Sequence, residues 1–514
     1  MTAESDSLPE TSTNDTSDLA RFGYKQELER TLGSFSSFAA GFSYISIMTG
    51  VFQLFGFGFG AGGPAFIWTW PLVFLGQGAV ALCFAEVAGQ FPLAGSVYQW
   101  SKQIARPATS WMAGWIMSIG AVVTAAAVAV AYQIILPQVS LAFEVIGGPS
   151  DAGLSSTPAG AKNAIVLALG LVVFTTIVNL VGVKLMAKIN NFGVAVELTG
   201  SVLLIIFLAV HIKRGPQHVL FDTAGTGSGH SWGYFGAFLV AALMSAYVFY
   251  GFDTAGSLAE ETREPRRHAP RAILRALTAA FLVGGLLMLI GMMAVGDLHS
   301  DQLGTAGMPY LLKSTLGTGL GDAFLICSAI AITVCCLAVQ TAAIRMIFAM
   351  ARDNRLPFSR ALGRVSPRAR TPIVPALVTG VLTIALLVVN IGNQRVFYIL
   401  TSVAIILFYI PYLMVTAPML VRRLRGSWPR PEHGPYFSLG RWGLAVNAFA
   451  VLYGAAMIVN LAWPRPAVYG NDHWYFQWGA VVFTVLIALI GAIMLLVRRN
   501  WTRAHSEPVE PEGT

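Results

Sequence analysis

Three carboxylates lie inside or at the end of long apolar stretches, where acidic side chains are unusual. Asp253 follows Gly251 in the stretch AYVFYGFDTAGSLAEE, Glu197 lies within a second stretch, and Glu86 ends a third. A carboxylate at membrane depth is costly unless it is paired or protonated. Glu197 is therefore either a proton site, an anchor for a cation or a substrate ammonium, or part of a structural pair. Glu86 is near the end of its stretch, which favours a structural or gating pair.

Two of the apolar stretches are interrupted by small residues. The first has a run of them in its middle: Gly41, Ser43, Ser46, Thr49 and Gly50. The other is the stretch that contains Asp253, where Gly251 comes two residues before the carboxylate. One glycine pair alone is typical of helix packing, but two interrupted segments at corresponding places indicate a transporter's binding site. An unwound helix frees backbone N–H and C=O groups, and a zwitterion can satisfy both kinds.

The elements that position these residues are membrane helices. The chain has 514 residues, of which 55% are hydrophobic and 11% charged, whereas soluble domains are about 25% charged. Twelve apolar segments are predicted as spans 1 to 12: 34–60, 66–90, 111–137, 162–181, 190–212, 233–261, 271–296, 321–350, 372–391, 396–421, 440–463 and 475–497. The fold class is therefore all-α, a polytopic membrane protein with 12 transmembrane helices.

The basic residues indicate the orientation of the spans. If both termini are cytoplasmic, 27 of the 33 Lys and Arg residues lie on the cytoplasmic side, as the positive-inside rule predicts. This distribution accounts for the net charge of +8 through topology and contact with the lipid bilayer, so nucleic acid is not an expected partner. We expect a multi-pass protein of the plasma membrane.

The spans divide into two halves of five and a final pair. The predicted organisation is a disordered cytoplasmic tail (1–33), a first repeat (34–212), a second repeat (233–421), spans 11 and 12 (440–497) and a cytoplasmic tail (498–514). Because each half has an odd number of spans, the second half is inverted relative to the first. Spans 11 and 12 contain few polar residues and are expected at the periphery.

Four stretches resemble the amino acid–polyamine–organocation transporter superfamily, in its amino acid/choline and GABA permease branch. They are FSYISIMTGVF (42–52), AEVAGQFPLAGSVYQW (85–100), YGFDTAGSLAEETREPRRHAPRAI (250–273) and FAMARDNRLPFSRALGRVSPRARTPIVPAL (348–377). The resemblance implies a five-plus-five inverted repeat, broken helices 1 and 6, and alternating access around a site at mid-membrane.

The resemblance also assigns a substrate site to the two breaks: Ser46, Thr49, Gly50, Tyr247, Val248, Tyr250 and Gly251. Thr49 and Gly50 would present backbone N–H groups to a substrate carboxylate. Tyr247, Val248 and Tyr250 would offer carbonyl oxygens to its amine, and the ring of Tyr247 would close over the substrate.

The residues predicted to act in gating and coupling are Glu197, Asp253 and Glu86. Asp253 matches an acidic position thought to help gating in relatives. The chain departs from the branch at Met48, where many relatives have glycine, and at Glu197, where several proton-coupled relatives have lysine in helix 5. Their coupling chemistry therefore does not transfer directly to this chain.

The expected function is import of a small amino acid, with GABA as the leading substrate and the proton as coupling ion, carried by Glu197 or Asp253. The alternatives are an amino acid exchanger, a choline, ethanolamine or polyamine transporter, or a sensor that binds without transport. No enzyme, cofactor or metal site is expected. The segment GFGAGG (58–63) has the glycine spacing of a dinucleotide loop but lacks the strand and helix around it.

Overall fold

The computed structural model describes residues 32–230, 232–367, 369–392, 396–430, 434–465 and 474–504, with 19, 22–25, 27, 28 and 30 of the N-terminal segment. All the regular elements in this part of the chain are helices. Ten helical segments are long and apolar enough to cross a membrane, and two shorter apolar helices, Tyr234–Val248 and Ile373–Val389, complete the twelve spans. The all-α membrane fold is thereby confirmed.

The spans have the following helices. Span 1 is Ser34–Ile45 (1a) and Ile47–Gly62 (1b); span 2, Thr69–Gln90; span 3, Pro107–Val130 and Tyr132–Val139; span 4, Pro158–Val181; span 5, Val183–Val210; span 6, Tyr234–Val248 (6a) and the single turn Thr254–Ser257; span 7, Pro265–Ala294; span 8, Gly307–Arg352; span 9, Ile373–Val389; span 10, Val396–Leu424; span 11, Gly443–Ala462; and span 12, Gly479–Ala504.

Local sequence accounts for several helix ends. Pro107, Pro158 and Pro265 lie in the first turn of their helices, where a missing N–H costs nothing. Span 4 ends at Gly182, whose φ of 139° turns the chain directly into span 5. Span 8 begins well before its predicted start, and its added first part meets the rest at a kink at Gly317, with φ 79°.

The helix contacts have the symmetry expected of an inverted repeat. Span 1 packs on span 6, span 2 on span 7, span 3 on span 8, and span 4 on span 9. The extensive contact of span 3 with span 10 corresponds to that of span 8 with span 5. Spans 11 and 12 are peripheral, with 28% and 17% of their apolar windows buried. The two broken spans therefore lie at the centre of the bundle.

The loops form two faces. We call the face with residues 91–106, 258–264 and 353–372 the proximal face, and the face with 140–157, 211–233 and 295–306 the distal face. On the distal face, the loop after span 7 lies directly on span 1b. A Cβ atom at Gly56 would lie 2.9 Å from the carbonyl oxygen of Gly304, so small residues allow this close approach.

The described residues of the N-terminal segment lie against the proximal face. Leu28 and Leu32 are buried, and Leu32 exchanges backbone hydrogen bonds with Glu261 and Arg263 at 2.9 and 3.0 Å. Most of the predicted disordered tail, 1–33, lies outside the described residues, so that expectation stays a prediction. The described residues of the segment are held by long-range contacts with the bundle, which leave no periodic pattern in a short polar sequence.

Candidate functional site

Span 1 is broken at Ser46. This residue has φ 35° and ψ 99° and separates spans 1a and 1b. Its N–H donates to the carbonyl oxygen of Phe42 at 2.8 Å, and its own carbonyl accepts from the Gly50 N–H at 2.9 Å. Its hydroxyl accepts from the Thr49 N–H at 3.3 Å. Ser46 is thus the N-cap of span 1b, the usual role of a serine at this position.

The break lies about one turn before Thr49 and Gly50, at one of the small residues that interrupt this span in the sequence. In this conformation the N–H groups of both residues have acceptors within span 1b. Gly50 has a different requirement, because a Cβ there would lie 2.5 Å from Cγ2 of Val248. Gly50 therefore brings the two broken spans into contact. The assignment of Thr49 and Gly50 to a substrate carboxylate remains a prediction.

Span 6 is broken between Val248 and Thr254. Gly251 has φ 87°, and a Cβ there would lie 1.9 Å from the ring of Tyr44. Its N–H donates to the Tyr412 hydroxyl at 2.9 Å. Among the backbone hydrogen bonds outside regular helix in the described residues, none uses the carbonyl oxygen of Tyr247, Val248 or Tyr250. These carbonyl groups lie at the end of a half-helix, where the dipole favours a cation.

Asp253 joins span 6 to two other elements. Its carboxylate accepts from the Tyr412 hydroxyl of span 10 at 2.5 Å and from the Ser96 hydroxyl at 2.8 Å. The Ser257 hydroxyl donates to that of Ser96 at 2.9 Å. Asp253 is 1% exposed, and no basic residue in the described part of the chain pairs with it. Its three-way contact couples the broken segment to the turn after span 2.

Glu197 lies at the N-terminus of span 1b. Its Oε1 atom accepts from the Ser46 hydroxyl and from the Met48 N–H, both at 3.0 Å. The side chain is 1% exposed, and no ion pair between it and a basic residue occurs among the described residues. The structure therefore gives Glu197 hydrogen bonds at a helix end, where the dipole stabilises negative charge, in place of a cationic partner.

Aromatic rings surround the two breaks. Tyr250 lies against Phe408, Tyr247 and Tyr44, at centroid distances of 4.6, 5.7 and 6.1 Å. The hydroxyl groups of Tyr44 and Tyr247 are buried without a hydrogen-bond partner in the described part of the structure. Polar atoms in this condition are costly and mark a place where a ligand or water could bind.

Sequence reasoning missed four residues of this region: Tyr44, Thr124, Phe408 and Tyr412. Only Tyr44 had a local signal, since it lies two residues before the break. Thr124, in span 3, lies 3.1 Å from the Tyr250 hydroxyl. Residues of spans 3 and 10 reach the site through tertiary packing, which a single sequence does not reveal.

Glu86 lies apart from the breaks. Its carboxylate pairs with Arg423 at the end of span 10 and accepts from the indole N–H of Trp428 at 2.8 Å. It also accepts from Ser438 and from the backbone of Leu439. These contacts fasten the end of span 2 to the loop between spans 10 and 11. A gating role for Glu86 remains a prediction.

Comparisons with known proteins identify the family of this chain. The sequence model of the family described as "Amino acid permease" matches residues 32–494, which include both broken spans. The chain belongs to the amino acid permease family. The permease thus has the transporter fold that the sequence predicts, and it is not an enzyme. The resemblance to the amino acid–polyamine–organocation superfamily is confirmed.

Named relatives match the permease over most of its length. Amino-acid permease BAT1 of Arabidopsis thaliana is 27% identical over 506 residues, covering 94% of each chain. Amino-acid permease 2 of Neurospora crassa is 26% identical, covering 94% of this chain and 88% of its own. The branched-chain amino acid permease BcaP of Bacillus subtilis is 26% identical, over 85% and 90%. These matches support amino acid transport.

Proposed function

We propose that this permease imports a small amino acid by alternating access, with the substrate bound between the breaks of spans 1 and 6. The observation that carries the proposal is the direct contact of the two breaks at Gly50 and Val248. A zwitterion suits such a site, because span 1b presents the positive end of its dipole and span 6a the negative end of its own.

The amine end of the substrate is assigned to span 6. The carbonyl groups of Tyr247, Val248 and Tyr250 can accept from an ammonium group. The rings of Tyr44, Tyr250 and Phe408 add faces that attract a cation. Bulky rings on several sides restrict the space at the breaks, which favours a small amino acid over a large one.

GABA is the leading substrate, on the basis of the branch that the sequence resembles. Branched-chain amino acids are the second candidate, because one relative is named for them. An exchanger is the rival mechanism. Choline, ethanolamine and polyamines are rival substrates without a carboxylate, for which the N–H groups of span 1b would have no partner on the substrate.

The proton is the proposed coupling ion. Glu197 and Asp253 are both buried beside the breaks. Each accepts hydrogen bonds, and neither pairs with a basic residue in the described part of the chain. Such carboxylates can gain and lose a proton without breaking an ion pair. We place the proximal face and both termini in the cytoplasm of a plasma-membrane protein, following the bias in Lys and Arg.

The test is uptake into proteoliposomes under an imposed pH gradient, with labelled GABA, alanine, leucine, arginine, choline and putrescine. Accumulation of an amino acid above equilibrium only with the gradient would support proton-coupled import. Movement only after preloading with unlabelled amino acid would make the protein an exchanger. Transport of choline or putrescine without any amino acid would overturn the substrate assignment.

A further inference from the structure

The N-terminus of span 1b already holds a carboxylate. Glu197 reaches it from span 5 and accepts from the Met48 N–H and the Ser46 hydroxyl through one oxygen, Oε1. Ser46 and Thr49 are themselves joined, with their hydroxyl oxygens 2.5 Å apart. The chain thus supplies its own anion at the helix end that faces the second broken span.

A substrate carboxylate needs the same donors. The first N–H groups of a helix are the ones without intrahelical acceptors. In span 1b, Ser46 satisfies the N–H of Thr49 and of Gly50, and Glu197 satisfies that of Met48. Two negatively charged carboxylates cannot share these donors, because like charges at one site disfavour each other's ionisation.

We infer that Glu197 holds the place of the substrate carboxylate in the empty permease, and that the amino acid carboxylate replaces it at span 1b when Glu197 takes up a proton. This inference rests on the proposed function and extends it. Protonation removes the negative charge and leaves a neutral acid that binds the Met48 N–H more weakly. The incoming carboxylate then restores one negative charge at the helix end, so one proton accompanies each amino acid.

The surroundings of Glu197 leave few other groups to take part. Spans 4 and 7 both pack on span 5 and have no ionisable residue between 163 and 181 or between 276 and 294. Span 1a adds the hydroxyl of Tyr44, and the ionisable side chains of span 8 are Tyr310, Lys313, Asp322, Cys327, Cys335, Cys336, Arg345 and Arg352. Cys335 donates to the carbonyl oxygen of Tyr44 at 3.4 Å. The basic residues of span 8 have other partners, since Lys313 pairs with Asp322, Arg345 with Glu261 and Arg352 with Glu260. None of these ion pairs includes Glu197, so a proton is left to neutralise it.

The test measures proton uptake on binding. Purified permease in detergent is titrated calorimetrically with GABA, alanine and leucine at about pH 8.5, in two buffers of different ionisation enthalpy. We expect roughly one proton to be taken up per amino acid bound, and affinity to weaken by up to about tenfold per pH unit as the pH rises. Glu197→Gln should bind amino acid with no proton uptake and with nearly the same affinity at about pH 6.5 and 8.5.

A second comparison needs no variant. The carboxamide of GABA has no negative charge and does not compete with an ionised Glu197 in the same way. The amide should bind to the wild-type permease without proton uptake or should not bind. GABA should bind with the uptake of a proton. The difference between acid and amide therefore reports on the carboxylate site even if Glu197→Gln fails to fold.

The outcomes separate this inference from the proposed function. Amino acid binding without proton uptake in the wild type, or unchanged proton uptake in Glu197→Gln, would overturn the inference and leave the amino acid site standing. Loss of proton uptake in Asp253→Asn but not in Glu197→Gln would move the proton to span 6 and overturn it as well. Failure of all three amino acids to bind would overturn both.

Discussion

Gly251 shows how much one atom matters at this site. Its φ of 87° is in the region that favours glycine, and an added Cβ would overlap the ring of Tyr44. We predict that Gly251→Ala lowers the initial rate of amino acid uptake by at least about tenfold, since strain of about 1–2 kcal/mol falls on the break itself. The measurement is uptake by proteoliposomes with equal amounts of inserted protein.

The matched control for this substitution is Gly170→Ala. Gly170 lies on the exposed side of span 4, and a Cβ there would have no neighbour within 4 Å. The control should transport like the wild type. Wild-type uptake by Gly251→Ala would remove the reason for placing the substrate at the break in span 6.

Arg345 of span 8 and Glu261, in the turn that follows span 6, form a buried ion pair. Nη2 and Nε of Arg345 donate to Oε1 of Glu261 at 2.7 and 3.1 Å, and both side chains are at most 2% exposed. We predict that Arg345→Met costs about 3–5 kcal/mol of stability, because it leaves a buried carboxylate unpaired. The measurement is the thermal unfolding midpoint in detergent.

The double variant Arg345→Met with Glu261→Gln tests the cause. It should be more stable than Arg345→Met alone, because the unpaired charge is gone. Additive losses in the double variant would mean that each residue stabilises the protein through other contacts.

At the scale of the element, the break in span 1 depends on a serine cap. The Ser46 hydroxyl accepts from the Thr49 N–H and donates to Glu197. We predict that Ser46→Ala destabilises the protein by about 1 kcal/mol or more, the usual cost of losing an N-cap, with a lower unfolding midpoint as the readout. Ser201→Ala in span 5 is the control, since the Ser201 hydroxyl is buried without a partner in the described residues. An equal change in both variants would contradict the capping role.

The sequence predicted the elements better than their interruptions. Hydropathy located all twelve spans, because lipid leaves few alternatives to a continuous apolar helix. It named Ser46 among the small residues that interrupt span 1 but did not single it out as the point of the break. That point is set by the positive φ of Ser46, its own capping bond and the contact with Glu197 from span 5. The contact between Glu197 and span 1b joins residues far apart in sequence, and no local pattern encodes it.

At the scale of the whole molecule, both faces of the pathway are covered. The loop after span 7 lies on span 1b at Gly56, and the N-terminal segment lies across the proximal face. The proposed site between the two breaks therefore has structure over it on both faces. The alternating access proposed above requires one of these two covers to open at a time.

We call the contact between the described N-terminal residues and the proximal face the proximal cover, and Asp353 lies at its centre. Its carboxylate accepts from Lys102 at 2.6 Å, from Tyr24 at 2.7 Å and from Tyr98 at 2.8 Å. It thereby joins the N-terminal segment, the helix Ser96–Ile104 and the end of span 8.

The charge on Asp353 should not change over the physiological pH range. Partial burial raises the pKa of this carboxyl, but the hydrogen bonds from Lys102, Tyr24 and Tyr98 outweigh it, so the pKa is lowered overall. Because the pKa of Asp353 is lowered in the folded protein, its ionised carboxylate contributes fully to stability above the ordinary aspartate pKa of about 3.9. That contribution is lost only as the pH falls through the lowered pKa. We therefore predict that Asp353→Asn leaves the shape of the uptake profile between about pH 5 and 8 unchanged. A flattened profile would make Asp353 a pH sensor.

Removing the charge of Asp353 should instead open the proximal cover. Lys102 loses its ionic partner in Asp353→Asn, and the N-terminal segment loses a charged acceptor for Tyr24. The readout is Cys335, a buried thiol beside the Tyr44 carbonyl, kept as the single cysteine in a background with Cys83, Cys327 and Cys336 replaced by serine. A small charged thiol reagent applied from the proximal side should label Cys335 several times faster in Asp353→Asn than in the parent. Asp297→Asn on the distal face should leave the rate unchanged, because that carboxylate has no contact with the proximal cover. Equal labelling in all three proteins would show that the ion pairs of spans 6 and 8 close this face without the N-terminal segment.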